Sequence, residues 1–348
     1  MISLNDLTLS ELENEITGLG EPKFRAAQIF SWFSKGISGF DEMSDLSKPL
    51  RQRLSENYGI RAAVIEKKLS SAKDGTDKYL LRLGDGNIIE SVAMKYKHGI
   101  SVCLSTQVGC RMGCAFCASA LGGSVRNLSP GEILGQAAAL QRDLGERISN
   151  IVLMGIGEPL DNYENVIRFL KNVNNPLGMN IGYRHISLST CGLVDRIYDL
   201  AKENMPITLS VSLHAPNDEI RSKLMPINKK YPVAKLIAAC REYTRITNRR
   251  ISFEYILIDG VNDGETQAGE LSESLLGMLC HVNLIPANPV TESGLKKSPP
   301  KRVEAFKNRL LRHRINVTVR RALGTDIDAS CGQLRRKHKN AQQQQGWC

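Results

Sequence analysis

A chain of 348 residues with 42% hydrophobic and 24% charged residues has the composition of an ordinary soluble globular protein, long enough for one large catalytic domain and a smaller accessory one. Its N-terminus, MISLNDLTLSELENE, carries acids where a secretory signal needs a basic start, and no apolar run is long enough for a bilayer, so a cytoplasmic protein without membrane association is expected. The nine cysteines are an odd number, which argues against a fully paired disulfide framework, and in a reducing compartment clustered cysteines more often bind metal or do chemistry.

Residues 1–60 read as a small helical accessory domain. Ser10 with Glu13 forms a capping box ahead of an apolar-periodic run, Gly20, Glu21 and Pro22 break it, and residues 24–33 resume it. Residues 61–100 change to the period of strands. Asp74-Gly75 and Asp85-Gly86 are turn signals around the run 79–83, which predicts a β-hairpin extension.

Residues 101–335 alternate strands with helices. Candidate strands are 101–105, 151–154, 185–189, 207–213, 251–258, 281–286 and 315–320. One intervening helix opens with Ser129-Pro130-Gly131-Glu132, which combines an N-cap, a proline at the first position and a capping-box glutamate. Alternating βα units imply a parallel sheet, either open or closed into a barrel. Glu158, Ser189, Ser212, His214 and Asn288 follow the C-terminal ends of the strands, the rim from which barrel enzymes build their sites. The expected fold is therefore α/β, a partial (β/α) barrel of the TIM type. Residues 336–348, with four glutamines in a row, read as a disordered tail.

The net charge of +10 is unevenly spread. Residues 296–339 hold 14 Lys and Arg against Glu304, Asp326 and Asp328. A localised basic surface is the footprint of a polyanion, although a solvated basic helix face would give the same pattern.

Cys110, Cys114 and Cys117 form Cys-x-x-x-Cys-x-x-Cys in the loop after the first barrel strand, where Gly109 and Gly113 allow a tight wrap. Three soft ligands suit an iron–sulfur cluster or zinc. A structural zinc wants a fourth ligand nearby, and none follows. Three ligands on a four-iron cluster leave one iron open.

This spacing resembles the radical S-adenosylmethionine superfamily. The motifs TQVGCRMGCAFCAS, GIGEPLDNY, SLSTCG, SLHAPNDEIR, VNLIPANPV and GTDIDASCGQL, in that order over residues 78–334, are similar to the RlmN/Cfr family of RNA methyltransferases, with wording and a helical N-terminus most like RlmN. The resemblance implies one [4Fe-4S] cluster on Cys110, Cys114 and Cys117, and S-adenosylmethionine, two per turnover, bound by Gly157, Glu158, Ser189, Ser212, Leu213, His214 and Asn288.

It also implies a covalent route, because adenine ring carbons are too weakly nucleophilic to attack a methyl sulfonium. Cys331 would carry a methyl group, Cys103 would release the product by forming a disulfide, and Glu90 in IIESVAMKY would take the ring proton. The implied substrates are an adenosine of 23S rRNA, methylated at carbon 2, and one in the tRNA anticodon loop. A flavodoxin or ferredoxin would supply electrons to a monomeric enzyme.

Without the resemblance, Cys331 reads as an isolated loop thiol, Cys103 as a small buried hydrophobe in mid-strand and Glu90 as a surface carboxylate. Cys191, Cys240, Cys280 and Cys348 have no matching role. Competing readings are a carbon-8 methyltransferase of the Cfr type, a non-catalytic RNA-binding protein with a structural metal, and a radical enzyme acting on a small molecule.

Overall fold

In the computed structural model, which describes residues 1–287, 294–321 and 323–327, the chain begins with α1 (Leu9–Gly18), α2 (Phe24–Phe33) and α3 (Lys48–Asn57). The first cap lies two residues earlier than expected. Helix α1 starts at Leu9, so Ser10 is already inside its first turn, and Thr8 is the N-cap. The Thr8 hydroxyl accepts from the Glu11 N–H at 3.5 Å, and the Glu11 carboxylate accepts from the Thr8 N–H at 2.8 Å. This register puts Leu12 and Ile16 on one face, both fully buried with Ile29, Phe30 and Leu54.

The helical unit docks on the barrel through polar contacts. Asp6 accepts from the Gly131 N–H at 2.9 Å, and Asn5 donates to the Arg61 carbonyl at 3.0 Å. Gly131 opens α4 (Pro130–Leu144), whose cap has the expected form, Ser129 and Glu132 each accepting from the other's backbone N–H.

The sheet has ten strands whose spatial order is their chain order: β1 (Val64–Ser70), β2 (Asp77–Arg82), β3 (Ile88–Tyr96), β4 (Gly99–Cys103), β5 (Ile148–Leu153), β6 (Ile186–Thr190), β7 (Thr208–Ser212), β8 (Ile251–Leu257), β9 (Cys280–Pro286) and β10 (Asn316–Val319). Strands β1 to β4 pair antiparallel through hairpins, and β4 to β10 pair parallel. The parallel strands lie within a few residues of the seven expected segments. The crossovers run through α4, α5 (Tyr163–Asn174), α6 (Val194–Lys202), α8 (Val233–Thr247), α9 (Glu265–Leu275) and α10 (Pro300–Arg312), with the short α7 (Asp218–Leu224) placed after β7.

Alternation along the strands separates two faces. On β8, Phe253, Tyr255 and Leu257 are fully buried toward the helices, with the Tyr255 and Phe306 rings 5.1 Å apart. The other face is polar. Ser189, Ser210 and Ser252 stand side by side on β6, β7 and β8, and Asn283 of β9 donates to the Glu254 carboxylate at 2.8 Å. Barrel interiors are usually filled by branched apolar side chains; this one is lined for a polar guest.

Among the described residues β1 and β10 do not pair, so the barrel is partial. Side chains span the gap instead. Ser71 donates to Asp326 at 2.7 Å, and the Gly324 N–H donates to Asp74 at 2.8 Å. The Gly324 N–H, with smaller contributions from Thr76 and Ser71, holds the Asp74 carboxyl down to about 2. No helix among the described residues is long and apolar enough to cross a membrane.

Candidate active site

The cysteine loop rises from a two-stranded ribbon, Gln107–Gly109 against Ser124–Asn127. Gly109 has φ +83°, and a Cβ there would run into the Gly123 carbonyl, so glycine is required where the loop leaves the ribbon. The Cys110 N–H donates to the Gly123 carbonyl at 2.8 Å and the Cys117 N–H to the Cys114 carbonyl at 3.1 Å. The Ala115 N–H reaches the Leu224 carbonyl at the end of α7 at 2.9 Å, fastening the loop to the next layer.

Cys110 is buried, and Cys114 and Cys117 are half-buried. Burial pushes the Cys110 thiol up to about 11 and Cys114 higher still, and the neighbouring thiolates add to both shifts. The cysteines are thus mutual neighbours. Yet among the described residues no three His, Cys, Asp or Glu converge on a point that would hold one metal ion. Three thiolates on one short loop are the soft donor set that an iron–sulfur cluster takes. Metal binding would also draw the protons from these thiols.

Beside the loop, the turn after β5 supplies Gly157 and Glu158. Gly157 has φ +112°, and a Cβ would lie 2.7 Å from the Gln107 nitrogen. Gln107, fully buried, accepts from the Glu158 N–H at 2.8 Å and donates to Asp161 at 2.9 Å. Asp161 also pairs with Arg111 of the cysteine loop. The Glu158 carboxylate accepts from the Leu160 N–H at 3.0 Å and the Cys191 N–H at 2.7 Å. It braces the ends of β5 and β6.

Ser189, Ser212, Leu213 and His214 follow on the same rim. His214 has φ +58°, a conformation few non-glycine residues adopt, and such residues cluster at functional sites. Two contacts hold it there. The Ile256 N–H donates to His214 Nδ1 at 3.0 Å, and Asn262 donates to the His214 carbonyl at 2.7 Å. Nδ1 as acceptor leaves the ring proton on Nε2. Burial, with Arg221 adding to it, pushes His214 down to about 3, so the imidazole is neutral. The Phe116 ring meets it edge-on, with centroids 4.7 Å apart.

A second group lies where β3 meets β4. Glu90 is buried, not at the surface, in an ion pair with the fully buried Lys78 at 3.2 Å. Cys103 ends β4, and Val92 is its register partner. Glu90, Ser91, Val92, Cys103, Gly155 and Ile156 line one small cavity. The structure therefore brings Glu90 and Cys103 together, next to the turn that carries Gly157. Cys331 and Asn288, with Cys348, lie outside the described residues. Cys240 and Cys280 are buried in the core, and Cys191 serves the rim through its backbone.

Several site residues escaped sequence reasoning. Gln136, fully buried, clamps both backbone groups of Ser105 at 2.9 Å, and the Ser105 hydroxyl donates to the Glu90 carbonyl at 2.6 Å. Asn262, Gln107, Lys78 and Arg221 are likewise buried polar groups that act on other residues. Gln136 stands in the apolar run 133–140, a mismatch of the kind a buried polar group leaves, whereas Arg221 lies in the charged segment 218–224, where nothing local marks it.

Residues 104–268 match the Radical SAM superfamily, and residues 2–60 match the ribosomal RNA large subunit methyltransferase N-terminal domain. The chain is 55% identical over 340 residues to a probable dual-specificity RNA methyltransferase RlmN of Desulforamulus reducens, covering 97% of each chain. It is 57% identical over 337 residues to the corresponding protein of Alkaliphilus oremlandii, covering 97% of this chain and 98% of that one. Its structure is similar to that of a radical SAM methyltransferase from Sphaerobacter thermophilus, with a TM-score of 0.91 and 44% identity over 96% of this chain and 99% of that one.

Proposed function

Because the chain belongs to the RlmN family of radical S-adenosylmethionine RNA methyltransferases, we propose that it methylates carbon 2 of an adenosine in 23S rRNA, and an adenosine in the tRNA anticodon loop, through a methyl-cysteine on Cys331. Membership of this family makes the chain an enzyme that uses S-adenosylmethionine and a [4Fe-4S] cluster, so the reading as a non-catalytic metal-bearing RNA-binding protein is set aside.

Cys110, Cys114 and Cys117 hold the cluster, and the rim from Gly157 and Glu158 through Ser189, Ser212, Leu213 and His214, with Asn288, holds S-adenosylmethionine. When bound, the cluster supplies the electron that cleaves S-adenosylmethionine to a 5′-deoxyadenosyl radical. The chain's own work is to present the methylated Cys331 to that radical, exclude water and handle one proton. The methyl on Cys331 gives up a hydrogen atom to that radical, its carbon bonds to the adenine ring carbon, and Glu90 takes the ring proton as one electron leaves the adduct. Cys103 then attacks the Cys331 sulfur, forming a disulfide as the S–C bond breaks, and the freed carbon takes up a proton to become the product methyl. Two S-adenosylmethionine molecules are consumed per turnover, one as methyl donor and one as radical source, with a flavodoxin or ferredoxin as electron donor to a monomer in the cytoplasm.

One observation carries this reading. Glu90 and Cys103, the expected base and the expected resolving thiol, line the same cavity, and the base is a buried carboxylate whose charge is matched by Lys78. The polar lumen supports it too, since a base drawn out of structured RNA needs hydrogen-bonding walls.

The test is anaerobic turnover of the reconstituted enzyme with ribosomal RNA, S-adenosylmethionine and a reductant. The product nucleosides are then compared by mass spectrometry with 2-methyl- and 8-methyladenosine. Carbon-2 product is expected. Carbon-8 product would move the protein to the Cfr type, and cleaved S-adenosylmethionine without methyladenosine would refute the proposed substrate.

A further inference from the structure

Arg221 heads the fully buried side chains of the described residues by size, and its charge is not neutralised by an ion pair there. It leaves α7 and inserts beneath the rim. Its guanidinium donates to the carbonyls of Cys191 at 2.7 Å, Leu213 at 3.0 Å and Ser212 at 3.2 Å, and to the Asn228 side-chain oxygen at 2.9 Å. Asn228 is itself oriented by Asp218 and Ser222, at 2.9 and 2.8 Å. The three carbonyls are the ends of β6 and β7, where Ser189, Ser212 and Leu213 meet the cofactor.

Hydrogen bonds to neutral carbonyls satisfy a guanidinium's donors and leave its charge to be balanced from further away; the Asp218 carboxylate reaches it only across Asn228. The cysteine loop is a further layer that could answer that charge. Ala115 is bonded to Leu224 at the end of the same helix, and Cys110 and Cys114 pack in one buried cluster with Leu224 and Cys191, whose carbonyl Arg221 holds. Three thiolates around a cluster would supply the missing negative charge.

We propose that Arg221 is a positioning residue with two roles. Its charge stabilises the reduced, more negative state of the cluster, and its planar fork holds the rim carbonyls that frame S-adenosylmethionine. The inference rests on the cluster being held by Cys110, Cys114 and Cys117. A buried cation beside a cluster raises the reduction potential, since net charge and burial are among its determinants. The fork geometry belongs to arginine alone, whereas the charge can be kept by lysine.

Two variants separate these roles. Arg221→Gln keeps an amide donor and loses the charge, and Arg221→Lys keeps the charge and loses the fork. Iron and sulfide content, the midpoint potential from an EPR-monitored redox titration, and S-adenosylmethionine affinity are measured on each reconstituted full-length protein. The potential is expected to fall in R221Q and to stay at the wild-type value in R221K, with affinity weakened about 10–100-fold in both, the usual range for residues that orient a ligand shell. Should R221Q not fold, R221K alone carries the test: an unchanged potential with weakened affinity supports the inference, and unchanged affinity overturns it. Iron-loaded R221Q at the wild-type potential overturns it as well. A wild-type protein that takes up no iron would instead overturn the cluster reading on which it stands.

Discussion

Replacing Lys78 by methionine removes one half of an ion pair that has no access to water. The ammonium lies 3.2 Å from the Glu90 carboxylate, with the two side chains 0% and 4% exposed. Removing one partner of a buried pair is strongly destabilising, by about 3–5 kcal/mol. Against a total stability of about 5–15 kcal/mol for a typical domain, K78M alone would consume a large share.

The double variant K78M/E90L replaces both groups by apolar ones of similar length, a change that is often neutral for buried pairs. Urea unfolding of the metal-free protein, followed by circular dichroism, should therefore put K78M several kcal/mol below wild type and return most of that loss in K78M/E90L. Lys223, paired with Glu219 on an exposed helix face, is the control, and K223M should move nothing measurable. If K78M costs less than about 1 kcal/mol, or the double variant is no better than the single, the pair does not act as a buried electrostatic unit. The folded double variant should still be inactive, because the proposed base is gone.

Three further outcomes are expected. His214 is pushed down to about 3 from 6.5, so unfolding takes up a proton below pH 6.5. Stability from this group is complete above that pH and is lost as pH falls toward 3. Between pH 6.5 and 5 the loss is about 2 kcal/mol, and His214→Asn, which tolerates the left-handed backbone, should flatten the pH dependence of the urea midpoint. Asn262→Ala removes the donor to the His214 carbonyl and leaves the Ile258 N–H unpaired, and should cost about 2–4 kcal/mol by the same unfolding assay while weakening S-adenosylmethionine binding. Cys103→Ala should leave RNA covalently attached to the protein on a denaturing gel, and free methylated RNA at the normal rate would refute the proposed role of that thiol.

Much of the scaffold was legible because parallel strands buried on one face and polar on the other announce themselves in short runs. The segments at 151–154, 207–213 and 281–286 are cases where apolar content and length leave little choice. The first helix cap was misread because Thr8-x-x-Glu11 and Ser10-x-x-Glu13 carry the same signature two residues apart, and only packing of Leu12 and Ile16 decides between them. Cap position is a tertiary decision. The burial of Glu90 was equally hidden: strand β3 is covered on both faces for six residues, and nothing local says that a glutamate there meets a lysine from β2. The cysteine loop could be read because its chemistry is in its spacing. Arg221, Asn262 and Gln136 could not, since their importance lies in which distant carbonyls they reach.

The coincidence of chain order and spatial order in the sheet bears on how the molecule is made. Each strand leaving the ribosome finds its neighbour already laid down, which keeps pairing local and limits exposed edges during synthesis. The cysteine loop follows β4, so it emerges when the six later strands are still missing and its thiols face an unfinished wall. The contacts of Ser71 and Asp74 with Asp326 and Gly324 come last, joining the earliest hairpin to the end of the described chain. Until they form, the sheet stays open between its two edge strands.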